Sequence, residues 1–178
     1  MRAPSTRPTI HASWTLEVLW LLIAAAVAAA AVLPPLVSAG PYAQYIIHAA
    51  LTFAAVWLGR IALDSARVPW LKPRIARAVF LIALVPVALL TVLAVNELQT
   101  FLDADGPTAL FGEASGLQDP RLAGWSAYVR STYLLAAVAT VVACVALPPI
   151  LLVRLWREIK VSGTGRSPIA RSSGVSRP

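Results

Sequence analysis

Residues Val18 to Val37 (VLWLLIAAAVAAAAVLPPLV) run twenty positions without a charged side chain. Three later stretches nearly match them: Tyr45 to Leu63, interrupted by His48 and Arg60; Ala78 to Val95, with Pro86 near its middle; and Tyr133 to Val153, with Pro148 and Pro149 towards its end. A helix rising about 1.5 Å per residue needs about 20 apolar residues to cross a hydrocarbon core of about 30 Å. Backbone polar groups in lipid must be satisfied within the spanning segment, which a helix does. The chain is therefore expected to be an all-α integral membrane protein, an antiparallel bundle of four transmembrane helices. Pro34 and Pro35 are expected to stop the first of them.

Composition agrees. The 178 residues are 58% hydrophobic and 13% charged, against about 45–50% and about 25% in soluble domains. Bulk disorder is excluded, because it requires low hydrophobicity and high net charge. The lone Cys144 excludes an internal disulfide, a CxxC redox pair and a thiolate metal site.

The connections differ in character. Ser38 to Gln44 is a short uncharged turn, Asp64 to Arg77 is basic and carries Trp70, and residues 96–132 form an acidic loop with Glu97, Asp103, Asp105, Glu113 and Asp119. Within that loop Leu122, Trp125 and Tyr128, behind Pro120, predict a short amphipathic helix lying along the outer interface. The domain plan is a cytoplasmic segment 1–17, a membrane domain 18–158 and a disordered basic tail 159–178.

Thirteen of the fifteen Lys and Arg residues belong to the N-terminus, the 60–77 region and the tail, and two to the other side. Basic residues concentrate on the cytoplasmic flanks of spans. Both termini are thus expected in the cytoplasm, with the acidic loop outside. The net charge of +7 has the same origin, and no basic stretch interleaved with aromatics points to nucleic acid. The basic start and Val37-Ser38-Ala39 resemble a cleavable signal peptide, but the apolar run exceeds a signal h-region of about 7–15 residues. Thirteen Arg against two Lys, with abundant Ala and Pro, accords with a GC-rich bacterial genome and hence with the plasma membrane.

Few residues offer chemistry. His48 lies about one turn inside the second span, with Tyr45 and Thr52 on its face; an ionisable residue within a span is by default a functional candidate. Glu97 ends the third span on the same side, and the connection of about 14 residues between these spans argues for neighbouring helices. A His48–Glu97 polar pair is the expectation. Glu17 and Arg60, at similar depth on the opposite side, are expected to form a structural ion pair that sets helix register. Arg67, Lys72, Arg74, Arg77, Arg154 and Arg157 are expected to contact lipid headgroups.

Other motifs fall short. Asp103-Ala-Asp105-Gly106 begins like a calcium loop, yet Ala114 occupies the position of its closing Glu. His11 and His48 lie on opposite sides, which excludes a bis-histidine haem within the chain. No hydrolase triad, HExxH, P-loop or GxGxxG is present, so no cofactor and no enzymatic activity is expected, unless a partner chain completes a site. Small residues at four-residue spacing (Ala55 and Gly59; Ala136, Thr140 and Cys144; Ala24 to Ala31) suit close helix contact. The expected function is an accessory or scaffold subunit in the lipid bilayer, packing against a membrane-protein partner. The alternative is a small homo-oligomeric transporter or channel with His48 and Glu97 at its outer entrance.

Overall fold

The computed structural model describes residues 10–65, 68–111 and 120–164, and among these it contains helices and turns without strands. Four α-helices follow in order: α1 (Ile10–Ala39), α2 (Tyr45–Asp64), α3 (Arg74–Asp105) and α4 (Pro120–Thr164), with single 3-10 turns at Pro69–Leu71 and Pro107–Phe111. All four are long and apolar enough to cross a membrane. At about 1.5 Å per residue, the 20 residues of α2 match a hydrocarbon core of about 30 Å, and the other three helices outreach it.

The prolines do not stop α1, because Pro34 and Pro35 lie inside it. Each proline removes its own N–H and with it the bond to the carbonyl four residues back, that of Ala30 or Ala31; a spanning helix tolerates this where neighbouring groups or local adjustment satisfy the freed carbonyls. The stop is Gly40, whose φ of 94° is left-handed and costs glycine little; its N–H closes the helix on the Leu36 carbonyl at 3.2 Å. Among the described residues the predicted interfacial helix does not form a separate element. Residues from Pro120 onward are the first turns of α4 and run unbroken into the span. Among the described residues of the loop, a 3-10 turn spans Pro107–Phe111. At the far end α4 continues to Thr164, so residues 159–164 of the expected disordered tail are helical. Residues 1–9, 66–67, 112–119 and 165–178 lie outside the described residues, and with them Arg67, Glu113 and Asp119.

Two clusters of buried residues hold the helices together. One joins Val32, Leu51, Leu98, Val129, Tyr133 and Ala136 under Tyr42 and Leu110. The second joins Leu58, Ile61, Leu84, Ala143 and Leu147 above Val68 and Leu71. Passing from the first to the second, residue numbers rise along α2 and α4 and fall along α3. Thus α2 and α4 lie side by side and parallel, while α3 runs antiparallel to α4. The main helix contacts are α2 with α4, α1 with α2, and α3 with α4. The expectation that α2 and α3 are neighbours because a short connection joins them is corrected: α4 stands between them. They communicate through rings, Trp57 stacking on Trp70 at 5.8 Å and Trp70 meeting Phe80 edge-on at 5.3 Å.

Small residues make the α2–α4 contact. Ala136, Thr140 and Cys144 are buried, and the Thr140 hydroxyl donates to Ala136 O at 2.9 Å and across to Leu51 O on α2 at 3.2 Å. The buried stripe of α1 is Glu17, Ala24, Ala28, Val32 and Pro35. Gly59 does not follow this pattern: a Cβ there meets nothing within 4 Å. The outward faces are apolar, above all on α3, where Val79, Ile82, Val85, Leu89, Leu90 and Leu93 are exposed.

Candidate functional site

The acidic loop and the Ser38–Gln44 turn meet at one end of the helices. Ala43 N–H donates to Leu110 O at 2.8 Å, and Phe111 lies 5.7 Å from the Tyr42 ring. This seals Tyr42 over the start of α2. The Tyr42 hydroxyl is 2.8 Å from His48 Nδ1, and the Tyr133 ring covers the imidazole at 5.6 Å. His48 is fully buried, and its Nε2 has no hydrogen-bond partner among the described residues. Thr52 donates to the His48 carbonyl at 2.9 Å, and Tyr133 donates to Ala94 O at 3.1 Å. Burial, and secondarily Tyr128, push the Tyr42 hydroxyl above the usual tyrosine range, so it stays neutral at ordinary pH.

The expected His48–Glu97 hydrogen bond does not form. Glu97 stands on the exposed side of α3 while its neighbour Leu98 takes the buried position, and the imidazole takes Tyr42 as its partner at Nδ1. Helical spacing could not reveal Tyr42, because it precedes α2 and reaches His48 only through the reversal of the turn. The aromatic in an otherwise small-residue turn was the available signal.

At the opposite, basic end Arg60 donates to both oxygens of Glu17, at 2.5 and 2.6 Å. Both side chains are buried, and the Trp20 ring lies 5.7 Å from the guanidinium carbon. The fork geometry suits a planar guanidinium facing a carboxylate. It ties α1 to α2 near their ends.

At the same end of the helices lies a cleft of about 380 Å³, lined by Ser65, Val68, Leu71, Lys72, Arg77, Leu151, Arg154 and Arg157. Four of the expected headgroup-contact residues thus share one depression, whereas Arg74 is exposed outside it. Arg77 donates to Leu71 O at 2.6 Å and Lys72 O at 3.2 Å, which fixes its charge against the connection. Ser65, which sequence reasoning passed over, has a buried hydroxyl without a partner.

No constellation for covalent or metal chemistry appears among the described residues. They hold no group of three or more His, Cys, Asp or Glu able to bind a metal ion, and Asp103 and Asp105 stand exposed in the last turn of α3. Cys144 is buried. Fold and site define the class: an all-helical protein with four helices of membrane-spanning length and polar groups concentrated towards their ends. Compared with known proteins, the chain matches no family model, no curated protein and no solved structure.

Proposed function

We propose that this chain is a multi-pass membrane protein acting as a non-enzymatic accessory or scaffold subunit that packs against another membrane protein. The observation that carries this reading is α3. It has one main helix neighbour, α4, and the two enclose an open groove of about 350 Å³ lined by Val92, Val95, Val138 and Val142, with the amides of Asn96 and Gln99 at one end. Side-chain amides beside an apolar groove suit a partner helix, which can return a hydrogen bond that lipid tails cannot. The positive-inside bias supports an orientation with both termini in the cytoplasm, and the Arg-, Ala- and Pro-rich composition supports a bacterial plasma membrane.

The second reading, an oligomeric channel or transporter with a His48 and Glu97 entrance, draws on the buried, half-satisfied imidazole. The seal of Tyr42, Phe111 and Tyr133 over His48 and the separation from Glu97 favour the first reading. A photo-crosslinking residue at Val138, in cells carrying the native membrane, should capture a different membrane protein, while one at Leu22 on α1 should yield lipid adducts. Capture of this chain alone, with a defined homo-oligomer in native mass spectrometry, would support the second reading and overturn the first.

A further inference from the structure

The basic cleft is more than a surface of like charge. Arg154 and Arg157 stand three residues apart on one face of α4, Lys72 and Arg77 face them from the connection and the start of α3, and all four border the same cleft of about 380 Å³. Such a volume lies in the range of small-ligand sites, about 300–1,000 Å³. Its apolar walls are Val68, Leu71 and Leu151, all buried. Ser65 lines it, only 6% exposed, with a hydroxyl that has no hydrogen-bond partner among the described residues. A buried unpaired hydroxyl costs free energy unless something hydrogen-bonds to it. Of the nearby acids, Glu17 is committed to Arg60 and Asp64 has contacts of its own; the Glu158 side chain lies outside the described residues.

Cations on several sides of a small cleft with a free hydroxyl select an anion with several acceptor oxygens, and a phosphate group answers that description. Exposed apolar side chains lie nearby on both helices, Ile75 and Val79 on α3 and Leu152 and Val153 on α4, where acyl chains would rest. We propose that the cleft binds the phosphate of an anionic phospholipid headgroup, with Arg154, Arg157 and Lys72 supplying charge and Ser65 a hydrogen bond. This rests on the membrane-spanning reading above.

The test uses the full chain purified in mild detergent, with native mass spectrometry to read retention of phosphatidylglycerol against phosphatidylcholine. A hydrogen bond from a cationic side chain to a phosphate oxygen is stronger than diffuse attraction to a charged surface, by about tenfold or more in binding. Arg154→Gln/Arg157→Gln should therefore lower phosphatidylglycerol retention more than about tenfold. Ser65→Ala, a small change at a helix end, should lower it severalfold and leave helicity by circular dichroism unchanged. The charge-matched control Arg74→Gln/Lys160→Gln should keep retention and preference. Equal loss in the control would reduce the cleft to diffuse attraction and overturn the site. Complete displacement of the lipid by inorganic phosphate would identify a soluble anion as the ligand and overturn the lipid assignment. A chain released from membranes by alkaline carbonate would sink the membrane-spanning reading itself, whereas an inserted chain indifferent to headgroup would sink this proposal alone.

Discussion

The residue that carries most electrostatic consequence is Arg60, buried against Glu17 in a two-point contact. Removing one partner of a buried pair strands the other charge, a loss of about 3–5 kcal/mol, whereas replacing both with apolar residues of similar volume is near neutral. Glu17→Leu is therefore expected to destabilise the protein by that amount, and Glu17→Leu/Arg60→Met to recover most of it, read as unfolding midpoints in a detergent titration. A double variant no better than the single would mean that Arg60 serves something other than its partner. The pair joins residues that the sequence places at equal depth on consecutive helices. His48 is different, because its partner Tyr42 sits in a turn whose path no periodicity describes.

Among the elements, α2 and α4 form the central contact, and small residues decide how closely they approach. Thr140 has no exposed surface and bridges to Leu51 O. Thr140→Leu must overfill that contact and remove the bridge, at about 1–3 kcal/mol. Gly59→Ala, where an added Cβ meets only open space, should be neutral or raise stability by up to about 1 kcal/mol through helix propensity. Thermal unfolding of the two variants in one detergent checks both. A tolerated Thr140→Leu beside a damaging Gly59→Ala would reverse the assignment of which small residues mediate helix contact. Both positions carry the same small-residue spacing in sequence, so only the facing surface distinguishes them. The first helix teaches a similar lesson: its two prolines look like a stop, yet the glycine–proline pair six residues further on, Gly40 and Pro41, is where the backbone turns.

For the whole molecule, the charge asymmetry yields a topology that can be measured. Reporter fusions at Gly116 and at Gly163 are expected to report the outer and the cytoplasmic side, respectively, following the bias of Lys and Arg towards cytoplasmic flanks. A cytoplasmic signal from Gly116 would invert the orientation and place the basic cleft in the opposite leaflet.

The existence and number of the four long helices, and the apolar segment of each, could be read from hydrophobic length, because one helix satisfies its own backbone and needs no distant residue to do so; the full lengths of α3 and α4 could not. Nor could neighbourhood. A short connection suggested that α2 and α3 touch, but side-chain shape sets α4 between them, with Ala136, Thr140 and Cys144 buried at its contact with α2. The continuity of α4 through residues 120–132, the seal over His48 and the gathering of Ser65 with Lys72, Arg77, Arg154 and Arg157 are of the same kind. Each depends on which surfaces meet across tens of residues, and that is decided by complementary packing of whole helices, a property absent from any local pattern.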